Sequence, residues 1–107
     1  GPAMKTALPL DQEAIAGFCR RHGIKEFYIF GSVLRDDFAA DSDVDVLITF
    51  LPGSPRRLTN LLSIEEELQT MFGRRVDVVE RRVIEQSRNY LRRAQILGTA
   101  EPVYVEG

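Results

Sequence analysis

The sequence predicts a small α/β (α+β) domain, in which a mixed β-sheet is flanked by helices. Apolar residues recur at helical spacing in several segments. Between these segments lie short runs rich in β-branched and aromatic residues, which are typical of buried strands: IKEFYIF, DVDVLITF and VDVV. A chain of 107 residues is the size of one domain, so a single hydrophobic core is expected.

The first predicted elements are a helix and a strand. The helix is expected from about Asp11 to His22, because apolar residues recur there at helical spacing: Leu10, Ala14, Ile15, Phe18 and Cys19. Gly23 is expected to end this helix, and a strand at 24–30 follows it. Before the helix, Gly1-Pro2-Ala3 is interpreted as the remnant of a cleaved expression tag, and the domain is expected to occupy 4–107.

The remaining elements are justified by further apolar runs and by the breakers between them. In chain order they are a short helix near 32–37, a loop through 39–41, a strand at 44–50, a helix at about 56–72, a strand at 75–80, one helical region at about 82–98 and a short edge strand, EPVYV. Ser54 is expected to cap the helix at 56–72, and Pro55 to occupy its first turn. Gly73 should end that helix, and Pro102 suits an edge strand.

Composition narrows the class of partner. A net charge of −2 and an apolar share of 44% give no overall attraction to nucleic acid or to a membrane. The chain contains one cysteine, Cys19, and no apolar run long enough for a signal peptide or a bilayer span. We therefore expect a cytoplasmic protein that does not bind nucleic acid directly by itself.

Positive charge is nevertheless concentrated locally. The stretch from Arg74 to Arg93 holds seven arginines and three acidic residues. Such a run is either a solvated helix face or a surface that meets a triphosphate, an RNA or an acidic partner. The sequence leaves these alternatives open.

Two aspartates dominate the strand predicted at 44–50. Asp43 and Asp45 are two residues apart, so their side chains leave the same face of an extended chain. Two neighbouring carboxylates repel each other and are poorly suited to a strand of valine, leucine and isoleucine. A divalent cation would relieve the repulsion, and Mg²⁺ prefers one or two carboxylates together with substrate phosphates.

A glycine-serine pair precedes these aspartates. Gly31 and Ser32 follow a predicted strand directly and open a predicted helix, a turn that presents backbone N–H groups to an anion. Gly31 permits close approach of the backbone, and the Ser32 hydroxyl is a donor for a phosphate oxygen. Arg35 either contacts a phosphate or forms an internal salt bridge with a motif aspartate.

The combined motif resembles a known signature. Gly31-Ser32-x-x-Arg35, followed after six residues by Ser42-Asp43-x-Asp45, is similar to the signature of the nucleotidyltransferase superfamily that includes DNA polymerase β. A third carboxylate is expected on a later strand, where Asp77 stands. The segments FLPGSP, GRRVDVV and RNYLRRAQILGTAEPVY resemble the minimal nucleotidyltransferases (MNT), which commonly act as antitoxins paired with HEPN-type toxins.

This resemblance implies a reaction and a set of site residues. It implies transfer of AMP from ATP to a tyrosine of a cognate HEPN ribonuclease toxin, with two Mg²⁺ ions. The implied catalytic and metal-binding residues are Asp43, Asp45 and Asp77, and the implied nucleotide-binding residues are Gly31, Ser32, Arg35 and Ser42. A homo-oligomer or a hetero-oligomer with the toxin is consistent with this role.

Other functions remain open at this stage. The chain is also consistent with a non-catalytic antitoxin that neutralises its toxin by forming a complex. A third alternative is a small-molecule nucleotidyltransferase that acts on an aminoglycoside-like hydroxyl, although such enzymes usually have an additional domain for the acceptor.

Overall fold

The computed structural model describes residues 10–31, 43–53 and 58–106. Its helices and strands, in chain order, are α1 Gln12–His22, β1 Ile24–Phe30, β2 Val44–Phe50, α2 Leu58–Phe72, β3 Val76–Glu80, α3 Arg81–Glu85, α4 Tyr90–Thr99 and β4 Glu101–Val105. The predictions of a helix at 32–37, a loop at 39–41 and a cap at Ser54-Pro55 lie outside the described residues, as does the interpretation of residues 1–3.

The strands form one four-stranded sheet in the order β3-β2-β1-β4. β1 pairs antiparallel with both β2 and β4, whereas β2 and β3 run parallel. The parallel pair requires a crossover between its strands, and α2 lies in that connection. The prediction of a mixed sheet flanked by helices is confirmed, and so is the edge strand that contains Pro102.

Local signals define both ends of α1. The Asp11 carboxylate accepts a hydrogen bond from the Ala14 N–H at 3.1 Å and caps the first turn. Gly23 ends the helix with φ 66°, a left-handed conformation that strongly favours glycine. Between these ends, Cys19 is fully buried, and burial raises the pKa of its thiol to about 12. The cysteine therefore belongs to the hydrophobic core, as predicted.

The two faces of the sheet pack against different helices. Alternation along the strands sends Ile29, Val46 and Val76 to one face, in the larger core cluster with buried residues of α1 and α2. The opposite face carries Phe30 and Leu47, which pack with Ile84 of α3 and Ile96 of α4. Asp45 and Asp77 alternate with the first set, so they lie on the face covered by α3 and α4.

The prediction of one helical region at 82–98 is wrong, because the chain forms two helices separated by residues 86–89. Polar side chains cause the break by offering the backbone other partners. The Asn89 carboxamide caps α4 by accepting from the Arg92 N–H at 3.2 Å, and the Ser87 hydroxyl accepts from the Asn89 N–H. The Arg93 guanidinium donates to the carbonyls of Glu85 and Ser87.

A charged cluster joins the end of α1 to α2. The Glu67 carboxylate forms a salt bridge with Arg21 and accepts a hydrogen bond from the ring of His22, whose Nε2 lies 2.8 Å from Oε1. Burial by itself would raise the pKa of Glu67, but the hydrogen bonds and positive charge of His22 and Arg21 hold it below the ordinary value of 4.5. The cluster therefore stabilises the ionised carboxylate in the folded chain.

Within the part of the chain that the structure describes, no helix is long and apolar enough to cross a membrane.

The lowered pKa of Glu67 predicts an acid-dependent contribution to stability. Its contribution is present above the unfolded-state pKa near 4.5 and is lost as the pH falls through the folded-state pKa. Glu67→Gln should therefore lower the denaturation midpoint at neutral pH, and the difference from the wild type should shrink below pH 4.5. Chemical denaturation across this range measures the effect. Glu66→Gln, on the exposed side of α2, is the control, and a difference that grows towards acid pH would contradict the prediction.

The cap of α4 generates a second prediction. Asn89→Ala should lower the free energy of unfolding by about 1 kcal/mol, because the Arg92 N–H loses its side-chain acceptor. Asn89→Ser should retain most of the stability, since serine is also a good helix cap. Urea denaturation of the three proteins compares them, and equal losses for alanine and serine would show that the side-chain oxygen does not act as a cap.

Candidate active site

The site begins where β1 ends, at Gly31. Phe30 and Asp45 are partners in the antiparallel pairing of β1 with β2, so Gly31, the residue after β1, lies beside the Asp45 side chain. Gly31 has φ 78°, and a Cβ placed on it would lie 2.3 Å from Asp45 Oδ2. A side chain at position 31 would therefore collide with the carboxylate. Glycine allows the backbone to approach the Asp45 carboxylate directly.

The parallel register of β2 and β3 places the second carboxylate. Asp45 and Asp77 are Cα partners on adjacent strands, and both side chains leave the same face of the sheet. Neighbouring strands lie about 4.8 Å apart, so the two carboxylates stand side by side. This juxtaposition depends on the crossover through α2, since the two residues are far apart in sequence.

A glutamate of α2, the helix between β2 and β3, forms a hydrogen bond with the edge strand β3. β3 is an edge strand of the sheet. The N–H of Val78, the residue after Asp77, therefore finds its acceptor outside the sheet. The Glu65 carboxylate of α2 accepts a hydrogen bond from that N–H at 3.2 Å. Its side chain thus fastens β3 to α2 immediately beside the candidate acidic residue.

A cleft of about 210 Å³ opens over these residues. Its apolar surface comes from Phe30, Val79 and Ile96, and its acidic surface from Asp45 and Asp77. α4 forms the remaining polar wall with Arg92, Gln95 and Thr99. An apolar surface beside carboxylates and one guanidinium suits a ligand that has both a planar or apolar part and a charged part.

The structure brings together three of the residues predicted from the sequence. Gly31, Asp45 and Asp77 line the same cleft. Asp43 lies exposed immediately before β2, and it is not among the residues that line the cleft. Ser32, Arg35 and Ser42 lie outside the described residues, so their placement stays a prediction.

The carboxylates provide hard oxygen ligands, the type that Mg²⁺ prefers. The backbone of Gly31 closes one side of Asp45 without filling the cleft. Among the residues described, no group of three or more histidine, cysteine, aspartate or glutamate side chains is close enough to hold a metal ion. The assignment of Asp43, Asp45 and Asp77 as joint metal ligands therefore stays a prediction.

Sequence reasoning did not identify the wall formed by α4. The sequence marks Arg92 only as one of the seven arginines between Arg74 and Arg93, and it gives Gln95 and Thr99 no distinguishing feature of their own. Their spacing was the available signal, because Arg92, Gln95 and Thr99 recur at helical intervals around the apolar Ile96. Which face of this helix meets the aspartates is a tertiary property that the spacing alone does not specify.

Comparisons with known proteins agree with this geometry. The family model described as "Nucleotidyltransferase domain" matches residues 12–97. Protein adenylyltransferase MntA of Thermococcus cleftensis is 39% identical over 61 residues, which are 55% of this chain and 58% of that protein. MJ0435 of Methanocaldococcus jannaschii, provisionally described as a protein adenylyltransferase, is 37% identical over 59 residues, which are 55% of this chain and 61% of that protein. The chain thus spans about three fifths of the length of these curated relatives.

Solved structures show the same fold. A protein provisionally described as a minimal nucleotidyltransferase is 36% identical, with a TM-score of 0.66 over 85% of this chain and 87% of that one. A toxin–antitoxin structure with AMP-PNP has a TM-score of 0.68 at 16% identity, over 90% of this chain and 74% of that chain. A complex of a tri-AMPylated Shewanella oneidensis HEPN toxin with an MNT antitoxin has a TM-score of 0.60 at 16% identity, over 88% of this chain and 69% of that chain.

The family model extends from α1 to α4, and therefore includes the three strands and the helix that form the cleft. The motif residues Gly31, Asp45 and Asp77 meet in that cleft. By sequence and by fold, the chain belongs to the nucleotidyltransferase domain family.

Proposed function

We propose that this protein is an Mg²⁺-dependent protein adenylyltransferase that acts as an antitoxin by transferring AMP from ATP to a tyrosine of a cognate HEPN ribonuclease toxin. The observation that supports it most directly is the cleft in which Gly31, Asp45 and Asp77 meet. The proposed reaction is that for which a relative of this chain is named, protein adenylyltransferase. The proposed partner is taken from a structural neighbour described as an MNT antitoxin in complex with a HEPN toxin.

The proposed metal is Mg²⁺, and the donor chemistry of the cleft fits it. Asp45 and Asp77 present hard oxygen atoms on adjacent strands, and Gly31 itself places no side chain against the Asp45 carboxylate. Asp43 would join them as the third carboxylate. When bound, Mg²⁺ would offset the negative charge of the triphosphate and lower the pKa of the acceptor hydroxyl.

The chain's own residues would mainly bind and orient the reactants. Gly31, with Ser32, would present backbone and hydroxyl donors to the β and γ phosphates, while Phe30, Val79 and Ile96 would offer an apolar surface to the nucleoside. Ser42 and Arg35 are the other proposed nucleotide-binding residues. This arrangement aligns the α phosphate for attack and excludes part of the surrounding water.

The transfer replaces the α–β phosphoanhydride bond of ATP with a phosphodiester bond to the acceptor tyrosine. The oxygen of the acceptor tyrosine attacks the α phosphorus, and the bond from that phosphorus to the oxygen bridging to the β phosphate breaks. Pyrophosphate leaves with the electron pair of that bond. Asp77, on the acceptor side of the site, would take up the hydroxyl proton or orient the group that does.

Intact mass spectrometry tests this function. After incubation of the cognate HEPN toxin with this protein, Mg²⁺ and ATP, the toxin mass should increase by whole AMP units. Asp45→Asn should reduce the rate by about 100-fold or more, since the variant loses the charge that orients the metal and triphosphate. Chelation of Mg²⁺ should stop the transfer.

The same experiment separates the alternatives. An unchanged toxin mass together with a stable, inactive toxin complex would mean that the protein neutralises by binding alone. An unchanged mass with an AMP-modified small-molecule hydroxyl would point to the small-molecule alternative. Tandem mass spectrometry of the modified toxin then identifies the acceptor residue and the number of AMP groups.

The contact between Gly31 and Asp45 generates a separate prediction. Gly31→Ala should reduce AMP transfer by about 100-fold, because a methyl group at this position displaces the Asp45 carboxylate. It should also lower the free energy of unfolding by about 1–2 kcal/mol, because alanine is strained at positive φ.

Gly53→Ala is the matched control for this variant. Gly53 has a similar φ of 85°, but a Cβ there would meet no atom within 4 Å. It should lose comparable stability and keep its transfer rate. Equal transfer rates for the two variants would show that the close approach to Asp45 is not needed for activity.

A further inference from the structure

The α4 wall of the cleft contains one positive charge, that of Arg92. Its side chain is exposed and lines the cleft that contains Asp45 and Asp77. Arginine is always protonated in proteins, so a permanent cation faces this space. A cation placed opposite two carboxylates is a candidate for substrate recognition as well as for charge balance.

The packing of α4 determines which of its residues face the cleft. Ile96 is buried against Phe30 and Leu47, and this contact fixes the rotation of the helix about its own axis. Arg92 lies one helical turn before Ile96, on the same side of α4. The Asn89 cap at the Arg92 N–H fixes the start of the helix. Arg92 therefore lies on a defined helix face rather than on a loop.

Three neighbouring arginines, Arg81, Arg82 and Arg93, differ from Arg92 in having structural partners. Arg81 contacts Glu26 and Glu85, and Arg82 contacts Glu80. Arg93 donates to two main-chain carbonyls. Among the described residues, the Arg92 guanidinium forms no ion pair with a carboxylate and no side-chain hydrogen bond. Within this part of the chain, the guanidinium is available to a ligand.

We propose that Arg92 is a nucleotide-binding residue, and that its guanidinium contacts the triphosphate of ATP in the cleft between α4 and the two aspartates. This inference rests on the proposed function for the identity of the nucleotide. The triphosphate is the anionic part of that substrate, and a guanidinium presents two parallel donors to phosphate oxygens. Arg92 thus provides a phosphate contact from the α4 wall of the cleft that Gly31 also lines.

Equilibrium binding of Mg²⁺-ATP tests the inference without requiring transfer. Arg92→Gln keeps a polar side chain but removes the guanidinium and its charge, and it should weaken binding by roughly 10- to 100-fold, the range for a hydrogen bond to a charged group. Arg92→Lys keeps the charge and should weaken binding less. Arg88→Ala, an exposed arginine before α4 that does not line the cleft, should bind as the wild type does.

Two further readouts distinguish ligand contact from a structural role. Binding of ATP should depend less steeply on salt concentration in Arg92→Gln than in the wild type, because one charge contact is lost. The affinity for AMP should fall less than that for ATP, because AMP lacks the β and γ phosphates. Thermal denaturation checks that the variant is folded.

Unchanged ATP affinity in Arg92→Gln would overturn the inference, whether or not the thermal stability of the variant falls. Weakened ATP binding in the variant, with no AMP transfer to the toxin by the wild type, would support Arg92 as a nucleotide-binding residue and refute the proposed acceptor. Unchanged ATP affinity in Arg92→Gln, together with AMP transfer to the toxin by the wild type, would refute the role of Arg92 and support the proposed acceptor.

Discussion

The parallel pairing of β2 with β3 is the constraint on which the candidate site depends. It places Asp45 beside Asp77, and a shift of one residue in register would send one of the two side chains to the opposite face of the sheet. Two carboxylates held together in this way repel each other, so the register must be maintained by other contacts. Burial of Val44, Val46 and Val76 on the opposite face supplies them.

The central position of β2 also links this pair to Gly31. β2 has β3 on one side and β1 on the other, so one strand brings Asp45 into contact with elements from distant parts of the sequence. On the β1 side, the backbone at Gly31 approaches the carboxylate more closely than a side chain would allow. The narrow tolerance at this contact contrasts with the exposed turn at Gly53, where no atom would meet an added side chain.

The second core cluster lies on the face of the sheet that carries the candidate site. Among the described residues, this cluster consists of Phe30, Leu47, Ile84 and Ile96, and it has far fewer buried members than the cluster beneath α1 and α2. The short helices α3 and α4 therefore cover this face incompletely and leave the cleft beside the aspartates. A small hydrophobic contact thus serves a second purpose, because it orients α4 and its polar wall.

Local sequence determined most of the secondary structure of this protein and pointed to part of its candidate site. Runs of β-branched and aromatic residues predicted the strands at 24–30 and 44–50. Helical spacing predicted most of α1 and α2, because burial of one face imposes a period on a helix. The glycine and the aspartates of the motif were predicted from residue type and spacing, and of these Gly31 and Asp45 line the cleft. Tertiary structure alone decided the rest. The break at Ser87 and Asn89 depends on hydrogen bonds that compete with the helix, and the wall formed by Arg92 depends on how Ile96 packs against a distant sheet. Periodicity describes one segment at a time, whereas the cleft is formed by contacts between segments.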